Sequence, residues 1–245
     1  MSATSFAEEL RSRDDAAIAA LFSFRPDLLS PVPSDLSSLA ARANSAPSLI
    51  RALEGLNKFQ HEILTAACVL AEPFGKNELT AITDKGANQV LEELWQRALA
   101  YKDGAKYRLP GNIRNLIGDE PAGLGPSSPR KIDFKDLKEV PTDSNAVLNR
   151  LVWGPPRGQI GNAKSPGKPV AWLLERGYLE IMDSQTVVLP REVGIHLRGG
   201  KIYKELQAIC PPFAGTTRKQ KYIDRAVIAN ISSFLRWCEE LAHNW

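Results

Sequence analysis

Cysteine is scarce in this sequence, and the three present, Cys68, Cys210 and Cys238, have no other cysteine or histidine within four positions. An odd count at such spacing argues against a disulfide framework and a structural zinc, and it fits a reducing cytoplasm. Long apolar runs are missing as well. Nothing approaches the roughly 18 to 20 residues that a membrane-spanning helix needs. The first 25 residues mix acids with arginines instead of setting a charged end before an apolar core, so neither a transmembrane anchor nor a signal peptide is predicted. Charge of one sign is also lacking: 31 basic and 28 acidic residues leave a net +3, too little by itself to announce a nucleic-acid partner.

What is present is an ordinary folding composition, 43% hydrophobic and 24% charged, with a mean hydropathy of −0.24. The 245 residues suffice for one large domain or two to three small ones. Positive charge accumulates toward the C-terminus. The net values are −2 over 1–56, +1 over 57–117, −1 over 118–140, +2 over 141–200 and +3 over 201–245. So shallow a gradient permits phosphate binding without requiring it.

Local signals divide the chain. Ser5 with Glu8, and Ser12 with Asp15, have capping-box spacing and predict two helices carrying Phe6, Leu10, Ala17, Ile18 and Leu21. Pro26 and Pro31 to Pro33 force extended chain, Ser34 restarts a helix with Leu36, Leu39 and Ala43, and a short helix follows over 47–53. Asn57 and Gln60 frame the next helix, with Phe59, Ile63, Ala67 and Leu70 at helical spacing. After the break at 73–75 come a short helix with Leu79 and Ile82 and a third with Val90, Leu91, Leu94 and Trp95. A hairpin is predicted over 99–109, its turn at Lys102-Asp103-Gly104. Three helices followed by a hairpin is the order of a winged helix.

That pattern recurs. Leu91, Leu94, Trp95 and Arg97 match Val170, Leu173, Leu174 and Arg176 at an offset of 79, and Leu109-Pro110, Ile113 and Ile117 match Leu189-Pro190, Val193 and Leu197 at 80. A helix over 144–153, the Gly154-Pro155-Pro156 turn and a small strand at Gln159-Ile160 precede the second copy. The expected fold class is therefore mainly α with small β-hairpins. Tandem winged-helix units stand behind a helical N-terminal region: 1–56 the helical region, 57–117 unit one, 118–140 a connection, 141–200 unit two. In 201–245, Ile223, Val227, Ile231, Phe234, Cys238 and Leu241 form one helical stripe. That stripe predicts the opening helix of a third unit and hence a fragment of a longer protein.

Several stretches carry a resemblance. Trp153-Gly154-Pro155-Pro156, Leu173-Leu174-Glu175-Arg176-Gly177-Tyr178-Leu179 and above all Val188-Leu189-Pro190-Arg191-Glu192-Val193, with His196-Leu197-Arg198-Gly199-Gly200, are the principal ones. Arg25-Pro26-Asp27-Leu28-Leu29, Pro31-Val32-Pro33 and the stretch from Pro121 to Ser127 join them. Together they resemble the N-terminal region of the large actinobacterial helicase-associated-domain proteins, relatives of the XPB-type DNA repair helicases. The resemblance implies a DNA-linked role by association, without a motor, because no Gly-Lys-Ser/Thr phosphate loop, Asp-Glu box or arginine-finger motif is found.

The chemistry-bearing residues point away from catalysis. Gly158 to Ser165 misses the phosphate-loop template at Ala163, and Pro166-Gly167 interrupts the helix such a loop requires. His61, His196 and His243 lack a Ser, Cys or Asp partner at motif spacing. Adjacent Glu92-Glu93 and Glu239-Glu240 diverge on helices. No catalytic residue, metal or cofactor is expected. The predicted partner is DNA, bound weakly and mostly without specificity. In the second unit Arg157, Lys164, Ser165 and Lys168 lie near the start of the recognition helix; Lys102, Lys106 and Arg108 lie on the first wing; Arg218, Lys219 and Lys221 precede the last helix. Asn88, Gln89 and Gln96 are polar positions on the first unit's third helix, but Glu92 and Glu93 would repel phosphates there. The alternative is a protein-docking module anchored by Trp153 and Trp172, whether on the remainder of its own chain or on another protein.

Overall fold

Capping chemistry lays out the N-terminal region. In α1 (Phe6–Ser12) the Ser5 hydroxyl accepts from the Glu8 amide while the Glu8 carboxylate accepts from the Ser5 amide. The second helix, α2 (Asp15–Phe24), is capped by Asp14, whose carboxylate accepts from the Ala17 amide. This corrects the expectation from Ser12: its hydroxyl donates to the Glu9 carbonyl and closes α1 instead. A 3-10 turn at Pro26–Leu29, α3 (Leu36–Ala43) capped by Asp35, and α4 (Ala46–Glu54) complete the region. Leu10, Leu21, Leu28, Leu39 and Ala43 are fully or almost fully buried at its centre. The computed structural model describes residues 3–84 and 86–206, which fall in one unit spanning Met1–Ala208.

The segment 57–117 contains α5 (Lys58–Val69), α6 (Lys76–Ile82), α7 (Ala87–Gln96), the strands β1 (Tyr101–Asp103) and β2 (Lys106–Arg108), and α8 (Gly111–Ile117). Lys102 and Asp103 are strand residues, so the turn lies at Gly104-Ala105, one step beyond its expected place; Gly104 supplies the positive φ it requires. Phe74 pairs with Tyr107 in both directions and adds a third, single-residue strand.

The segment 141–200 contains α9 (Thr142–Val152), β3 (Arg157–Gln159), α10 (Lys168–Glu175), β4 (Glu180–Ile181), β5 (Thr186–Val188) and α11 (Arg191–Leu197). Its sheet order is β3-β5-β4. Its hairpin register and its last helix coincide with those of the first segment, whereas it has no counterpart of α6 and α10 starts two residues later than α7 does at an offset of 79. Tyr101 faces Arg108 as Glu180 faces Val188, and Lys102 faces Tyr107 as Ile181 faces Val187, so the offsets are 79 on one strand and 80 on the other. The extra residue sits in the hairpin turn. The helices before the two hairpins, α7 and α10, end in the same two-bond motif. Leu99 and Ala98 amides donate to the Leu94 and Trp95 carbonyls, and Tyr178 and Gly177 amides to those of Leu173 and Leu174. The left-handed residue it needs is Ala98 (φ 54°) in one case and Gly177 (φ 71°) in the other.

Residues 118–140 are packed, not suspended. Leu124 is buried in the first segment's core, while Ile132, Phe134, Leu137 and Val140 pack on the second's. A side chain on Gly125 would come within 2.2 Å of the Leu189 carbonyl oxygen, which explains the glycine. Arginines bind these layers through helix-end carbonyls that otherwise lack partners. Arg198 donates to the Val152, Ala122 and Gly123 carbonyls and also to the non-helical Ile202 carbonyl, Arg191 to the Val69 carbonyl, and buried Arg25 to the Ala43 carbonyl and the Ser48 hydroxyl. Eleven α-helices and two small antiparallel sheets make the described residues mainly helical, and none of those helices is long and apolar enough to cross a membrane. The expected C-terminal helix lies outside the described residues.

Candidate nucleic-acid interface

The two sets of expected cations meet different environments. In the first segment Glu92 on α7 gathers Lys76 Nζ at 2.7 Å, Lys102 Nζ at 3.2 Å and the Tyr107 hydroxyl at 2.5 Å. Partial burial pushes the Glu92 carboxyl up, but these three donors outweigh it and hold it at about 2. Tyr107 is pushed up to about 12 by burial and by the same carboxylate. Lys106 Nζ lies 3.5 Å from Glu78, and Arg108 lies 2.7 Å from Asp103 and 3.9 Å from Glu72. Each cation on this hairpin already has a carboxylate beside it, so a phosphate would have to compete with that pair.

The outer face of α7 is occupied too. Trp95 Nε1 donates to Glu9 on α1 at 2.5 Å, and the ring lies between the Arg13 guanidinium at 4.6 Å and Lys102 Nζ at 4.0 Å. Glu93 accepts from Gln60 and Gln89. Sequence reasoning placed Glu92 and Glu93 as a repulsive face. It missed that Glu92 neutralises Lys76 and Lys102, that Glu93 accepts from Gln60 of α5 and that Trp95 holds Glu9 of α1, because most of those partners are remote in the chain.

In the second segment α10 begins at Lys168, within the expected stretch around Lys164, Ser165 and Lys168. Pro166 and Gly167 stop the helix from extending backward, and residues 162–165 form a turn in which the Asn162 carboxamide oxygen accepts from the Lys164 amide. Amides of Ile160 and Ala163 donate to the Gln185 and Ser184 carbonyls, pinning this turn to the β4–β5 hairpin. Lys164, Ser165 and Lys168 are all exposed, and neither lysine has an ion-pair partner among the described residues. No side chain caps α10, but Pro169 has no amide and those of Val170 and Ala171 donate to the Gly167 carbonyl, so what this corner offers is the exposed lysines and not free helix-end amides.

Arg157 is a strand residue, not a turn residue, and pairs with Glu120. After Lys168, α10 carries no Arg, Lys, Asn or Gln up to Arg176, which is held by Asp136 at 3.1 Å and lies over Trp172. Beyond its first residue, α10 therefore presents no cationic or carboxamide side chain, and the polar groups of this corner are confined to the turn and to the helix start. Arg218, Lys219 and Lys221 lie outside the described residues. The docking anchors are partly occupied: Trp153 is 40% exposed, with Arg198 and Lys204 over its ring.

The remaining chemistry is structural. His61 Nε2 lies 2.9 Å from the Leu53 carbonyl, and His196 stacks on Phe134 at 4.3 Å. Burial pushes the Cys68 thiol up to about 12, leaving it an inert apolar group. Among the described residues no three His, Cys, Asp or Glu side chains are placed to hold a metal ion. Comparison of the chain with family models, with curated proteins and with solved structures returned no match.

Proposed function

We propose that this chain is a non-enzymatic positioning module with tandem winged-helix units, and that the second unit holds nucleic acid weakly by its phosphates through Lys164, Ser165 and Lys168. One observation carries this reading: those lysines are exposed and have no ion-pair partner among the described residues, at and just before the start of α10, whereas the hairpin cations of the first segment are paired. The shared hairpin register supports the winged-helix description. The resemblance to helicase-associated proteins supports the DNA link by association.

With two to three phosphate contacts, affinity falls in the non-specific range of about 10⁻⁴ to 10⁻⁶ M at physiological salt. Titration of labelled duplex and single-stranded oligonucleotides across a salt series tests it. Lys164→Ala with Lys168→Ala should weaken binding to all sequences alike and flatten the plot of log K against log salt by about two. Binding by the double variant equal to wild type would discard the proposal.

A further inference from the structure

In the first segment α6 directly follows Phe74 and packs against α5 and α7. Leu79 of this helix is fully buried, and Ile82, three residues on, packs on the same core. The second segment has no helix there. Register pairs Phe74 with Tyr107 and Gly158 with Val187, so Gly158 occupies the strand position of Phe74 at an offset of 84. The offset falls to 79 at the third helix, so five residues are missing from the stretch that builds α6. At that same offset, Val170, only half-buried, replaces fully buried Leu91.

The absent helix and the absent ring leave a cavity of about 440 Å³ walled by Val147, Leu151, Ile160, Val170 and Val187. Arg150 and Arg157 border it, and no carboxylate lines it. Arg157 is paired with Glu120, while Arg150 is exposed and has no ion-pair partner among the described residues.

The geometry points to this groove as the docking site for a short acidic amphipathic helix of a partner protein, presenting two aliphatic side chains three residues apart as α6 presents Leu79 and Ile82. The apolar walls supply the contact surface, and the unpaired guanidinium at the rim selects for acid on the incoming helix. The inference does not depend on the phosphate-binding residues. Lys164→Ala with Lys168→Ala leaves every wall of the groove in place.

The test is a display selection from a random helical-peptide library on the whole chain. Selected peptides should carry an aliphatic pair at i, i+3 and acidic residues. Their affinity should fall roughly tenfold or more in Arg150→Glu, a change at an exposed position, and stay unchanged in the Lys164/Lys168 double variant. Gly158→Phe restores the ring of the first segment. The nearest atoms to an added Cβ are Leu151 Cδ2 at 3.5 Å and Val187 Cγ2 at 3.6 Å, so this variant should fold and lose peptide binding. If Gly158→Phe fails to fold, Arg150→Glu decides alone. Selection that yields no binder, or binders that are basic or indifferent to Arg150→Glu, overturns the proposal. Self-association of the wild-type chain that Arg150→Glu abolishes also overturns it, since the occupant would then be a second copy.

Discussion

The segments 57–117 and 141–200 share hairpin register and the helix ends before and after the hairpin, yet they spend their surfaces differently. In each, the chain preceding the segment covers the C-terminal end of the helix before the hairpin, α7 or α10. Arg97 lies over Phe24 of α2, and Arg176, at the equivalent position, is held by Asp136 of the connection. The difference lies beyond that point. The first segment uses Trp95, Glu92 and Glu93 for internal contacts and fills its corner with α6, while the second leaves the start of α10 and the adjoining groove open. One arrangement of helices and hairpin is thus covered from within the chain in one place and left open in the other.

The largest expected effect tests whether the connection belongs to the packing of the second segment. Gly125→Ala would set a Cβ 2.2 Å from the Leu189 carbonyl oxygen and 3.0 Å from Val188 Cγ2, so backbone must move. Urea unfolding should show a loss of about 3 kcal/mol or more. An unchanged midpoint would mean that 118–140 is a free linker and that the second segment stands alone.

A smaller effect sharpens the electrostatic contrast. The Glu92 carboxyl sits at about 2 in the folded chain against the usual 4.5, so its stabilising contribution is present above about pH 4.5 and is lost as pH falls through about 2. Its side chain is 36% exposed, which limits the effect of Glu92→Gln to about 1 kcal/mol near neutral pH. Thermal unfolding of wild type and variant from pH 7 down to 2 should show the gap closing in acid. A gap that is constant with pH would mean that shape, not charge, makes Glu92 matter.

Much of this organisation was legible in the sequence because it is local. The offsets of 79 and 80 located both hairpins and both following helices, and Asn57 with Gln60 located the start of α5, since caps and apolar spacing act within a few residues. The start of α10 was legible to within a few residues, in the stretch around Lys164, Ser165 and Lys168, and Pro166-Gly167 fixes it at Lys168. The hairpin cations looked free because Glu78 and Glu92 reach them from other elements. Arg25, Arg191 and Arg198 counted as surface charge in the tally, whereas they donate to interior carbonyls, a role set by long-range packing.

The most direct test of the division of labour is hydrogen–deuterium exchange of the whole chain with and without a duplex oligonucleotide at low salt. The account predicts slowed exchange over 162–171 and none over 101–108. Slowing at 101–108 without change at 162–171, in a sample that binds the oligonucleotide, would contradict it.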